Sequence, residues 1–366
     1  RLSAQMAAGA LLLLFAVAWA ALQAWPAEEW SEEDTGIRVD SIIIYPIKGC
    51  GGTEVRETVL EAEGPRHDRR FMIVNRKGAF QTQRQIPKMA TIRPALETQG
   101  AVVTGLVLAT SDTPDRLHVD VVQDTPVDTL APEDGSSVQG ARVEVRIWGQ
   151  RVPGAVDQGP QAAEWLERVL DTPGLRLVFM DAQCHRALQH KSGKYAEPFS
   201  KRVGTPTGVT SFADGYPLLV ANRASLADLN DKLVAAAGTA TAALPMERFR
   251  ANIVVAGPTQ AWEEDTWLAF RVGPVQMHGV KRCVRCRVPT TDQETGVQAE
   301  GVGGREAEPL ATLRETRQGA KPHEGCFGMN AIHEMVQSEA GCTVRVGDVV
   351  VVNKRGRVGP LPQPKA

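Results

Sequence analysis

Hydrophobic periodicity divides the chain into many short strands and two helices. Met6 to Trp25 is apolar except for Gln23, and it lies between Arg1 and the acidic run Glu28, Glu29, Glu32, Glu33, Asp34. About 20 residues rising 1.5 Å each span a bilayer core of about 30 Å, so the stretch predicts a membrane anchor. A cleaved signal peptide is the rival reading, because Ala18-Trp19-Ala20 and Leu22-Gln23-Ala24 resemble cleavage sites. Ile37 to Pro46 predicts a strand entering the glycine turn Lys48-Gly49-Cys50-Gly51-Gly52, and Phe71 to Val74 predicts a buried strand behind Arg66-His67-Asp68-Arg69-Arg70. Leu96 to Val145 continues as short strands and polar turns, with Asp124 to Gly140 a loop.

The period then changes. Ala162, Trp165, Leu166, Val169 and Leu170 fall on one helical face closed by Pro173-Gly174, and Leu175 to Met180 returns to strand. Gln183 to Gly208, with Cys184, His185 and His190, is polar and predicts a mobile loop. A second unit opens at Phe212. Ser225-Leu226-Ala227-Asp228 predicts a capped helix with Leu226, Leu229 and Leu233 on one face. Ala235 to Ala243 predicts a connector. Leu268 to Met277 predicts a hairpin turning at Gly273-Pro274, and Val344 to Val352 a second hairpin. From Lys354 the tail is Pro-rich and basic, a composition that disfavours a packed core.

Length and charge narrow the function. A chain of 366 residues has room for two domains, and a net charge of -2 offers no global attraction to nucleic acid. Six cysteines in this length do not make a disulfide scaffold. There is no Walker sequence, and Gly301-Val302-Gly303-Gly304 lacks the strand and helix of a dinucleotide fingerprint.

What remains is Lys281 to Thr295, KRCVRCRVPTTDQET, in which Cys283 and Cys286 sit among Lys281, Arg282, Arg285 and Arg287. Nearby positive charge favours a thiolate, which is a soft metal ligand or a nucleophile. Guanidinium forks match phosphate oxygens. A soft metal on a phosphate-bearing cofactor would use both features. A structural zinc site, for which His278 supplies only a third ligand, a redox dithiol and a pair of ordinary buried thiols are the competing readings at this level.

The motifs Y-P-I-K-G at 45–49, D-R-R-F at 68–71, T-Q-R-Q-I-P at 82–87, F-A-D-G-Y-P-L-L at 212–219, F-R-A-N-I at 249–253 and C-V-R-C-R-V-P-T-T-D at 283–292 resemble, in this order, the mitochondrial amidoxime reducing component family. The resemblance implies an α+β, β-rich fold: a membrane anchor over 1–36, an N-terminal β-barrel domain over 37–182, a β-barrel MOSC domain over 192–353 and a disordered tail over 354–366. It also implies a molybdenum cofactor, molybdenum held on molybdopterin, with Cys286 as the metal's protein ligand and catalytic residue. Val284 and Arg285 match positions lining the cofactor. Lys48, Arg70, Arg250 and Asn252 match holders of the pterin and its phosphate, and Arg84 matches a weaker member of that shell. Asp214, Gly215 and Tyr216 fall on a loop that contacts the cofactor, while Gly49 stands where animal relatives carry a serine, and Gly215 and Tyr216 stand where they carry small or hydroxyl residues.

The activity so implied is reduction of N-hydroxylated and related compounds such as amidoximes, hydroxylamines and N-oxides, with nitrite reduction as a side activity. Electrons would come from a b-type cytochrome and an NADH-dependent flavin reductase, and the protein would sit on the outer mitochondrial membrane facing the cytosol. The alternative is a carrier or sulfur-transfer protein for the same cofactor.

Overall fold

The computed structural model describes residues 34–111, 114–126, 130–188, 208–237, 243–301, 304–321, 323–335 and 338–356. The expected anchor (6–25), most of the polar segment (189–207), part of the connector (238–242) and the end of the tail (357–366) lie outside the described residues. Among the described residues no helix is long and apolar enough to cross a membrane.

The fold is β-rich, and its sheets do not follow chain order. An eight-stranded sheet holds Arg38–Ile44 and Thr53–Val55 at one edge, followed by Ile253–Ala256, Leu218–Asn222, Cys326–His333, Val275–Val284, Trp267–Val272 and Val350–Arg355. The first strand therefore pairs antiparallel with Ile253–Ala256, more than two hundred residues away, with Ile42 opposite Ile253. A five-stranded sheet is made wholly from the first half: Arg142–Ile147, Gln150–Asp157, Leu175–Phe179, Phe71–Asn75 and Ile47–Lys48. Chain connectivity thus carries Arg38–Ile44 in one sheet directly into Ile47–Lys48 in the other. The turn that follows is held between the two halves.

Among the described residues three α-helices pack against these sheets: α1 (Pro160–Leu170), α2 (Arg223–Ala237) and α3 (Leu310–Thr316). Helix α1 has the expected apolar face, with Ala162, Trp165, Leu166, Val169 and Leu170 buried in one core. Helix α2 links the parallel strands Leu218–Asn222 and Ile253–Ala256 and buries Leu226, Leu229 and Leu233.

Three local expectations change. Helix α2 starts at Arg223, and Asn222, not Ser225, accepts from an early backbone amide, that of Ala224 at 3.0 Å; Ser225 donates to buried Glu264 at 2.8 Å instead. Val344 to Val352 is not a hairpin: Thr343–Arg345 pairs with Glu57–Glu61, and Val350–Arg355 pairs with Trp267–Val272. The intervening Gly347, at φ +91°, lets the chain turn from one sheet to another. The start of the polar segment is not a solvated loop, since Cys184 and Arg186 are buried. No metal-holding cluster of His, Cys, Asp and Glu occurs among the described residues.

Candidate functional site

A cleft enclosing about 800 Å³, part of it continuous with solvent, opens where the two sheets meet. Its floor starts from Tyr45-Pro46-Ile47-Lys48-Gly49. Lys48 is buried, and its Nζ donates to the Phe212 carbonyl at 2.8 Å and to Asp214 Oδ1 at 2.5 Å. Burial pushes the Lys48 ammonium down to about 8, even with Asp214 beside it. Asp214 is exposed at the cleft mouth, and the Lys48 ammonium and the Trp148 indole N–H hold its carboxyl below the usual carboxylate range. Gly49 turns the chain at φ +86°, where a side chain is strained.

Beneath lies a stack of charges. The Tyr45 ring is flanked by the guanidinium carbons of Arg250 at 4.2 Å and Arg69 at 4.6 Å. Asp68 Oδ1 accepts from the Tyr45 amide at 2.8 Å and from Asn252 Nδ2 at 3.0 Å, while Asp68 Oδ2 accepts from Arg69 at 2.5 Å. Asn252 Oδ1 accepts from Arg69 at 2.9 Å, and its Nδ2 also reaches the Ile43 carbonyl at 3.1 Å. Both Arg69 and Arg250 take positive φ, 50° and 57°. Such backbone costs roughly 1–3 kcal/mol and persists where its surroundings dictate it.

The opposite wall comes from the end of the strand Val275–Val284. Cys286 is exposed and Cys283 half-buried. Arg285 donates through Nη1 to Cys283 Sγ at 3.1 Å and through Nη2 to the Phe249 carbonyl at 2.9 Å. Of the four cations around the pair, Arg285 is thus committed to the first thiol. Lys281 lies 5.6 Å from the Tyr216 ring centre, and Arg282 faces Asp265 at 3.9 Å. Gln83 and Gln293 lock the halves together by exchanging amide hydrogen bonds of 3.1 and 3.0 Å, and Gln83 also donates to the Gly49 carbonyl at 2.8 Å.

The lining donors suit an anion. Arg250 Nη2 and Arg285 Nε are buried without a hydrogen-bond partner. An unpaired buried donor costs roughly 1–3 kcal/mol, and more when charged. Two such donors on residues that line one cleft argue for an anionic acceptor, and a phosphate has the oxygens that guanidiniums pair with. The exposed Cys286 thiol gives the same cleft a soft ligand.

Residues 36–173 match the MOSC N-terminal beta barrel domain and residues 207–351 the MOSC domain. The chain belongs to the two-domain MOSC proteins. Mitochondrial amidoxime-reducing component 1 of Homo sapiens is 28% identical over 92% of this chain and 88% of its own length. Mitochondrial amidoxime reducing component 2 of Homo sapiens is 28% identical over 93% and 90%. Molybdenum cofactor sulfurase of Bos taurus is 25% identical over 86% of this chain but 32% of its own length.

In this MOSC protein, Lys48, Gly49, Arg84, Asp214, Gly215, Tyr216, Arg250, Asn252, Arg285 and Cys286 all line the cleft. Arg70 and Val284 do not. Arg70 donates to the Met180 carbonyl at 3.0 Å and faces Glu63 at 3.7 Å, while its neighbour Arg69 turns into the cleft at positive φ. Val284 is 42% exposed and pairs opposite Cys326 at the strand end. Asn252 lines the cleft, but its amide is used within the protein; it fixes Arg69 and Asp68.

Sequence reasoning missed Arg69, Gln83, Trp148 and Arg186. Arg186 donates to the carbonyls of Ser211 at 2.9 Å, Ala213, and Asp214 at 3.2 Å, and so shapes the loop that faces Lys48. The Arg69-Arg70 doublet marked one arginine for this use, and nothing in the sequence said which.

Proposed function

We propose that this MOSC protein binds the molybdenum cofactor in the cleft and reduces N-hydroxylated compounds. The observation that carries the reading is the coincidence of unpaired guanidinium donors, from Arg250 and Arg285, with the exposed thiol of Cys286 in one cleft. Arg250, Arg285 and Lys48 would neutralise the phosphate, the Gln83–Gln293 pair would keep the halves in register, and the Cys286 thiolate would bind the metal. The bound cofactor supplies two-electron oxygen-atom chemistry. For an amidoxime, two electrons and two protons are taken up, the N–O bond breaks, and the amidine and water leave. The electrons come from a b-type cytochrome and an NADH-dependent flavin reductase. Residues 6–25 hold the protein on the outer mitochondrial membrane with the cleft facing the cytosol; the apolar sequence there and the mitochondrial names of the relatives support this.

Similarity to a molybdenum cofactor sulfurase favours a second reading, a carrier or sulfur-transfer protein without turnover. Protein made in a cofactor-competent host separates them. Molybdenum and pterin together with amidoxime turnover, when the two electron donors are supplied, support the reductase. Metal without turnover supports the carrier.

A further inference from the structure

Trp148 occupies a position that turn chemistry does not favour. It is the first residue of the two-residue turn joining Arg142–Ile147 to Gln150–Asp157, where Ile147 stands opposite Gln150. Both turn residues have positive φ, 52° at Trp148 and 86° at Gly149. Asn or Asp before Gly is the usual choice for such a turn, and a bulky side chain there is strained. The indole is nevertheless fixed on every side that the fold reaches. Its Nε1–H donates to Asp214 Oδ1 at 3.1 Å, the Arg84 guanidinium carbon lies 4.3 Å from its ring, and the Phe80 ring centre is 5.1 Å away, tilted by 56°. It remains 38% exposed and lines the cleft with Cys286.

The cleft is thus graded. Its floor of Lys48 and Arg250 suits an anion, whereas its rim presents the Trp148 indole. We infer that Trp148 is a specificity-determining residue whose indole forms one wall of the substrate mouth and selects flat, aryl-bearing N-hydroxylated substrates over small aliphatic ones. A rigid indole prepositioned by Asp214 and Arg84 meets a planar ring without losing rotamer freedom on binding, and aromatic pairing adds to simple burial. An aliphatic substrate gains neither. The inference rests on the reductase reading, and it names that site's substrate class.

The test uses benzamidoxime and acetamidoxime, which share the reacting group and differ in the ring. Molybdenum-loaded parent, Trp148→Leu and Trp148→Phe proteins are compared, with metal content measured for each. Leucine keeps apolar bulk and loses the aromatic face; phenylalanine keeps the face. In Trp148→Leu the ratio of kcat/KM for benzamidoxime to that for acetamidoxime is expected to fall about fivefold to tenfold, mostly through KM, and in Trp148→Phe to stay within about twofold of the parent. Equal losses on both substrates, or a ratio that does not move in Trp148→Leu, would overturn the inference while leaving the reductase reading intact. A loaded parent that turns over neither substrate would overturn both.

Discussion

Lys48→Met separates stability from function at the floor of the cleft. Burial lowers the Lys48 pKa from 10.5 to about 8. At about 1.4 kcal/mol per unit, the fold disfavours the ammonium by roughly 3 kcal/mol. The sign follows from proton binding: between about pH 8 and 10.5 the folded chain holds fewer protons than the unfolded one, so stability rises with pH there, and below pH 8 the whole penalty applies. Methionine removes that penalty. That figure is already net of the attraction to Asp214, so only the lost hydrogen bond to the Phe212 carbonyl, worth roughly 1 kcal/mol, stands against it. Lys48→Met is therefore expected to melt at or above the parent temperature at pH 7. Cofactor retention should respond in the opposite direction. Loss of one charge-assisted hydrogen bond of roughly 1.5–3 kcal/mol weakens anion binding about tenfold to 150-fold. In the parent the ammonium is mostly lost by about pH 9, so retention should fall about tenfold between pH 7 and pH 9, and this pH dependence should be absent in Lys48→Met. Molybdenum and pterin per chain after dialysis at each pH, with a thermal melt, measure both. A variant that melts several degrees lower yet keeps its cofactor would refute the reasoning.

Three further substitutions test the cleft and the core beside it. Gly49→Ser should destabilise by roughly 1–2 kcal/mol, because φ is +86° and a Cβ would sit 2.8 Å from the Met89 methyl, whereas Gly215→Ser should be neutral, since a Cβ there meets nothing within 4 Å; denaturant titration reads both. Glu264 is buried and pushed up to about 7 by burial and by Asp265, so it holds its proton in the fold and disfavours folding as pH rises from about 4.5 through 7. Glu264→Gln should accordingly raise the melting temperature at pH 8 and change it little at pH 4, as thermal melts across pH would show.

Much of the molecule was legible from residue pattern, in proportion to how local each signal was. Helix α1 and the hairpin turning at Gly273-Pro274 are encoded by contiguous periodicity, and they form as read. The pairing of Arg38–Ile44 with Ile253–Ala256, and the departure of Thr343–Arg345 to Glu57–Glu61, depend on contacts hundreds of residues apart that no local period records. The site divides in the same way. Lys48, Arg250 and Cys286 stand in distinctive motifs and do meet at one cleft. Arg70 was named from the resemblance, and strand alternation could not have corrected it to Arg69, because His67 and Arg69 both take positive φ. Trp148 carries no motif; its place follows from a turn whose geometry only the folded chain reveals.

The central claim is that Cys286 holds a metal whose organic carrier is pinned by cations from both halves of the chain. The most direct test is X-ray absorption at the molybdenum edge on cofactor-loaded parent, Cys286→Ser and Cys283→Ser proteins. The account predicts that Cys286→Ser removes one sulfur neighbour from the metal and abolishes amidoxime turnover. Cys283→Ser should leave the metal's sulfur count unchanged and most turnover intact, because a serine oxygen can still accept from Arg285. A protein free of molybdenum and pterin, or a metal whose sulfur neighbours are the same in all three proteins, would contradict it.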